Sequence, residues 1–263
     1  MTAGVSFRRR CFLFFSGWYT IWFFVGLLFL TFGWQPLFNH WEDFLFLALA
    51  GIVLLLAVMP WLGTARTWIA FVWVALVSGG IEALGATTGI PFGHYHYTAG
   101  MGPRLGGVLP LAIPFAWWVV LLPLQIYAQL RAGGRRPWLL PVLVGFFAML
   151  IDLALEPVAT QLRGYWVWEQ SGPWYGVPWQ NFLGWWLTAT VISAGLVPLI
   201  GKPRPGSAAS WMAQRIAFLL LVSVLASFWA AALANAMWPA LGALTLVTLA
   251  AAYPLFSPPA GSR

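Results

Sequence analysis

The sequence predicts an all-α polytopic membrane bundle of about eight transmembrane helices, and three observations carry that prediction. Of the 263 residues, 61% are hydrophobic and only 7% charged, where a soluble domain carries roughly 25% charged residues. Windows of about 20 apolar residues, enough to cross a hydrocarbon core of about 30 Å, follow one another along the chain. The basic residues fall almost wholly on alternate connections, which is a topology signal.

The apolar windows lie at about 11–33, 42–62, 67–90, 106–130, 137–159, 181–201, 214–236 and 238–256, the last short enough to be re-entrant. With the N-terminus inside, the inner segments hold Arg8, Arg9, Arg10, Arg66, Arg131, Arg135, Arg136, Lys202, Arg204, Arg215 and Arg263. The outer segments hold Arg104 and Arg163. An odd helix count would strand a terminus on the wrong side, so both termini are expected to be cytoplasmic. The whole chain, 1–263, is then one multi-pass domain of the cell membrane. Arg8–Arg10 ahead of an apolar run resembles a signal peptide, but the run is long and lacks an A-x-A site, so a retained first helix is expected. The net charge of +7 is explained by topology, and no nucleic-acid partner is expected. One cysteine, Cys11, excludes an internal disulfide and any Cys-built metal or iron–sulfur site.

Within this apolar chain two segments echo each other. From Glu82 the chain reads E-ALGATTGIPFG-HYHYT and then GGVLPLAIPFAWW; from Asp152 it reads D-LALEPVATQLRG-YWVWE and then YGVPWQNFLGWW. The units, about 82–118 and 152–186, occupy helices 3–4 and 5–6 and both start from the inside. They read as parallel repeats about an axis along the membrane normal. Aromatic-rich outer loops can also resemble one another without a repeat. In the repeat alignment Asp152 is the mate of Glu82, at nearly the same depth.

Glu82 is expected about 12 Å below the outer end of its helix at 1.5 Å rise per residue. Asp152 lies at similar depth, with Glu156 one turn above on the same face. A carboxyl near the bilayer centre costs at least about 2.5–3.5 kcal/mol unless it faces the bundle interior. Two roles fit these groups: acid–base chemistry, or clamping helices by hydrogen bonds to tyrosines and tryptophans. Glu156, followed by Pro157, also reads as a helix end or kink. Glu169 reads as a solvated loop charge.

His94 and His96 share a face if their loop is extended, and suit acid–base or hydrogen-bonding roles near neutral pH. With His40 they are the only three histidines, too few for a metal site in this pattern, so no metal is expected. The chain has no P-loop, no G-x-S-x-G elbow and no C-x-x-C-H, and no cofactor is expected. Tyr95, Tyr97, Tyr165, Trp166, Trp168 and Tyr175 lie at the outer boundary, and Trp117, Trp118, Asn181 and Trp185 inside the repeat helices. Boundary Trp and Tyr also serve as interface anchors. Aromatic faces suit a long polyene, or a carbocation stabilised by ring quadrupoles.

The strings E-x-L-G-x-T-T-G-x-P-F-G-x-Y-x-Y-T, D-L-x-L-E-P-V-A and W-Y-G-V-P-x-x-N-F-x-G-W resemble the CruF-type family of carotenoid-biosynthesis membrane proteins. That family includes carotenoid 1',2'-hydratases of bacteria and bisanhydrobacterioruberin hydratases of haloarchaea. The resemblance covers roughly residues 67–200; helices 1, 2, 7 and 8 share only hydropathy. It implies hydration of the terminal C1'=C2' bond of an acyclic ψ end group, as in γ-carotene or lycopene, to a tertiary alcohol. Implied partners are a carotenoid drawn from the lipid phase, water, membrane lipids and other carotenoid-biosynthesis enzymes.

The chemistry of such a reaction suggests roles for the residues. Hydration needs a proton at C2' and water at C1'. An acid in an apolar bundle is held in its neutral form, which also weakens it unless a hydrogen bond meets the developing carboxylate. His94, His96, Tyr95 or Tyr97 are candidate donors. Asp152 is the expected proton donor, with Glu82 orienting water or sharing the proton. Two other readings stand beside this one: a cofactor-free end-group cyclase or isomerase that excludes water, and a pigment-binding or lipid-transporting protein.

Overall fold

The computed structural model describes residues 2–32, 41–132, 138–201 and 208–256. His40, Arg135, Arg136, Lys202, Arg204 and Arg263 lie outside the described residues. The eight α-helices are α1 (Thr2–Phe32), α2 (Trp41–Leu62), α3 (Thr64–Thr88), α4 (Ala112–Ala132), α5 (Leu139–Gln161), α6 (Trp179–Ile200), α7 (Ala208–Ala234) and α8 (Trp238–Phe256). Each is long and apolar enough to cross a membrane, and the chain is an all-α, multi-pass membrane protein.

Of the boundaries that differ from the apolar pattern, two do so for identifiable reasons. Helix α1 runs back through Arg8–Arg10, because arginine is a good helix former and the helix outlasts its apolar stretch. The fourth apolar window opens at about 106, yet α4 starts at Ala112. Gly106 and Gly107, at φ 59 and 72, turn the chain between short antiparallel strands at Arg104–Leu105 and Leu109–Pro110.

Glu156 lies inside α5 and does not end it: the helix continues through Pro157 to Gln161. Proline has no N–H to give the carbonyl one turn back, that of Leu153. The Trp174 indole N–H donates to that carbonyl at 2.9 Å and satisfies it from outside the helix.

Helix α4 is the axis of the bundle. It packs against α2, α3, α5, α6 and α7, and its Trp117, Trp118, Leu121, Leu122 and Ile126 are buried. A polar thread ties it to α6: Ser193 donates to Gln125, Gln125 to Gln129, and Gln129 to the carbonyls of Val197 and Gly201. Helix α1 is the outermost, resting on α2 and α7. The α5–α6 approach depends on Gly145, where a Cβ would stand 2.3 Å from Thr190 Oγ1 and 2.7 Å from the Trp186 carbonyl.

The connections α3–α4 and α5–α6 meet at one end of the bundle. Strand β1 (Tyr95–Tyr97) pairs antiparallel with the strand Trp166–Trp168, in register Tyr95↔Trp168, His96↔Val167 and Tyr97↔Trp166. This two-stranded roof closes that end.

Two measurements test the fold. In a Cys11→Ser background, a membrane-impermeant thiol reagent added from outside is expected to label His94→Cys but not Arg131→Cys; labelling of both from one side would refute the eight-helix topology. Gly145→Val is expected to lower the Tm of the detergent-solubilised protein, since overpacking costs about 1–3 kcal/mol. An unchanged Tm would mean that the two helices do not touch there.

Candidate active site

Beneath the roof lies a cavity of about 390 Å³, lined by residues of α1 to α7 and of the roof itself. Its lining is mostly aromatic and aliphatic, yet it holds Glu82, Asp152, Glu156 and Asn181, all at most 5% exposed. Charged side chains are almost never buried to this degree without partners, so their donors define the site.

The donors to Glu82 come from a strand. Alternation turns Tyr95 and Tyr97 into the bundle and leaves His96 exposed. Tyr95 and Tyr97 donate to Glu82 Oε2 at 2.8 and 2.7 Å, and Trp117 Nε1 donates to Oε1 at 3.0 Å. Burial, reinforced by the carboxylate beside them, pushes both phenols well above their ordinary value, so each remains an O–H donor. The glycine in E-x-L-G makes the approach possible. A Cβ at Gly85 would stand 2.7 Å from the Phe92 ring and 3.2 Å from the Tyr95 hydroxyl.

The second half of the site is built differently. Asn181, in the first turn of α6, donates through one Nδ2 to Asp152 Oδ2 at 2.8 Å and to Glu156 Oε1 at 3.0 Å. Trp166 and Trp168 each donate to Glu156 Oε2 at 3.3 Å. The carboxyl that meets the second aromatic pair is therefore Glu156, one turn away from Asp152, which the repeat alignment had matched to Glu82. Among the described residues Asp152 Oδ1 receives no hydrogen bond. Asp152 is the least satisfied of the three. Trp117 stacks on Trp185 with centroids 4.0 Å apart, across the floor of the same space.

Of the residues singled out from sequence, Glu82, Asp152, Glu156, Tyr95, Tyr97, Trp117, Tyr165, Trp166, Trp168, Asn181 and Trp185 line the cavity. Four do not. His94 and His96 are exposed on the far side of β1, because inward tyrosines at alternate positions force the intervening histidines outward. Neither donates to Glu82, and the phenols take that role. Trp118 is buried on the other side of α4, edge-on to Phe71. Tyr175 sits in a turn at φ 52, its hydroxyl accepting from the Ala240 N–H at 3.4 Å. Among the described residues, no group of three or more His, Cys, Asp or Glu is arranged to hold a metal ion.

Among the cavity residues that sequence reasoning passed over, three are charged: Glu42, Asp43 and Arg163. Arg163 forms an ion pair with Asp43 and donates to the Tyr165 hydroxyl at 3.1 Å. The first turn of α2 thereby meets the α5–α6 connection. A hint existed in Arg163 being one of two basic residues expected outside, but nothing in the sequence pairs it with Asp43.

Comparison with known proteins places this geometry. Residues 43–250 match the family described as carotenoid biosynthesis protein. The chain belongs to that family. A curated bisanhydrobacterioruberin hydratase of Haloarcula japonica is 37% identical to this family member over 128 residues, covering 48% of this chain and 43% of the relative. The match thus spans less than half the length of that protein. No solved structure matches.

Asn181 is expected to be the clamp that lets two carboxyls share one pocket. Asn181→Leu should lower Tm, since each polar group left buried and unsatisfied costs about 1–3 kcal/mol. Adding Asp152→Asn to it should recover part of the loss. A double variant no more stable than Asn181→Leu would show that the amide does not bridge the pair.

Proposed function

We propose that this family member is a carotenoid 1',2'-hydratase of the cytoplasmic membrane, adding water across the terminal C1'=C2' bond of an acyclic ψ end group. The observation that carries the reading is the pairing of an apolar, aromatic-lined cavity with a two-carboxyl unit, Asp152 and Glu156 sharing the Asn181 amide, in which Asp152 keeps one oxygen free of donors among the described residues. The name of the Haloarcula relative supports the reaction class, and the family supports the substrate class.

The Asp152 acid transfers its proton to C2', and the π electrons form the new C–H bond. The cation left at C1' lies against the Trp117 and Trp185 rings, whose faces stabilise a desolvated cation by about 2 kcal/mol or more. Glu82 already accepts three hydrogen bonds, so it serves as a fixed acceptor towards the cation and not as the acid. Water adds to C1', and the resulting oxonium returns its proton to the Asp152–Glu156 pair. One water is consumed and the acid is regenerated. The polyene reaches the cavity from lipid past α1, whose Trp18, Trp22 and Phe29 line it.

The test is conversion of lycopene or γ-carotene by cells expressing the protein, followed by mass analysis. Each hydrated end group gains the mass of one water. An unchanged mass with a shifted spectrum would mean cyclisation or isomerisation, and an unchanged pigment would mean binding alone. Asp152→Asn is expected to lose about 10²–10⁴-fold in turnover per folded molecule, the scale of general acid catalysis. Glu82→Gln should also be impaired, and the loop residue Glu169→Gln should be near normal. If Asp152→Asn keeps more than about a tenth of wild-type turnover, the acid lies elsewhere.

A further inference from the structure

Five of the six acidic residues of the chain line one cavity: Glu42, Asp43, Glu82, Asp152 and Glu156. Four of them have a hydrogen bond or an ion partner within the described structure. Glu42 does not. Among the described residues neither of its buried carboxylate oxygens has a hydrogen-bond partner. Its backbone carbonyl accepts from Trp22 of α1 at 3.0 Å, which fixes the first turn of α2 against the cavity wall.

A buried carboxylate without donors costs far more than a neutral group in the same place, so the site is built for something that brings donors. Among the described residues the cationic side chain in the cavity lining is Arg163, whose guanidinium is engaged by Asp43 and by Tyr165. Two of its five N–H donors are used there. Among the described residues Glu42 and Arg163 form no direct ion pair. Glu42 is the chain neighbour of Asp43, which pairs with Arg163, and both Glu42 and Arg163 line the cavity; unspent acceptors on one and spare guanidinium donors on the other are the polar partners an enclosed water needs. The Arg163–Tyr165 contact places this group one residue from Trp166, which donates to Glu156.

We propose that Glu42 is the water-binding residue of this cavity: with Arg163 it holds the reactant water at the α2 end of the site and supplies it to the cation formed near Asp152. This rests on the hydratase reading. A carbocation has two fates. If water is present it is captured and the alcohol forms; if not, it returns a proton to the carboxylate and the alkene is restored. Cation formation and water capture are therefore separable. In deuterated buffer the acid carries deuterium, and a cation that gives back a hydrogen other than the deuterium it received, from C2' after rotation or from a methyl on C1', leaves deuterium in the recovered carotenoid.

The experiment compares hydration with deuterium incorporation into unreacted carotenoid, using monodisperse wild-type, Glu42→Leu and Glu42→Gln proteins with lycopene in detergent. For Glu42→Leu, hydration is expected to fall roughly tenfold or more, the scale of losing a hydrogen bond to a charged group. Deuterium incorporation per folded molecule should persist or rise. Glu42→Gln, which keeps one acceptor and the side-chain size, should move the ratio in the same direction by less, and it serves alone where the leucine variant does not fold. Equal losses of hydration and exchange, or no change in either, would overturn the role of Glu42. A wild-type protein that neither hydrates nor exchanges would instead overturn the hydratase reading.

Discussion

Carboxyls placed in an apolar bundle must find donors inside the protein, and the rest of the architecture follows from that constraint. Tyr95, Tyr97 and Trp117 converge on Glu82, while Asn181, Trp166 and Trp168 converge on Asp152 and Glu156. These donors come from two inter-helix connections and two helices. Satisfying the acids therefore requires the β1 roof strand to pair with Trp166–Trp168, α6 to start where Asn181 faces α5, and α4 to run through the centre. The acids are costly to bury, and the same hydrogen bonds that offset the cost fix the relative position of helices 3 to 6.

The two halves of the site satisfy the constraint unequally, and the inequality is chemically useful. Glu82 is enclosed by three donors and is spent as an acceptor. Asp152 and Glu156 share one amide, and Asp152 keeps a free oxygen on the cavity. Under the hydratase reading the saturated acid faces the cation and the unsaturated one moves the proton. Environments that push like groups into different roles are how two carboxyls come to act as different reagents.

The register of the roof carries a further point. Its centre is the pair His96↔Val167, which occupy corresponding positions of the two sequence units, and Trp117 stacks on the corresponding Trp185. Contacts between corresponding positions are what a local two-fold axis produces. The carboxyls depart from that symmetry, since the second aromatic pair meets Glu156 and Asp152 sits one turn away.

What the sequence alone determined about this protein is whatever depends on composition along a single helix. Eight apolar stretches, arginines grouped on alternate connections and acids set inside apolar runs are local properties, and the helix count and half of the cavity-lining aromatics followed from them. Even there, Gly106–Gly107 misled one boundary, because a turn delayed α4, and the helix end offered at Glu156–Pro157 does not occur, because the Trp174 indole satisfies the carbonyl that the proline leaves unpaired. Tertiary structure decided which way side chains point and which distant groups meet. The H-Y-H-Y string offered four polar side chains, and only strand alternation under the roof sent the tyrosines in and the histidines out. Asp43 and Arg163 are 120 residues apart, and Glu42 looks like an ordinary helix-start charge until the bundle closes round it. Pairings of this kind depend on how helices pack in three dimensions, and no periodicity in one segment encodes its partner in another.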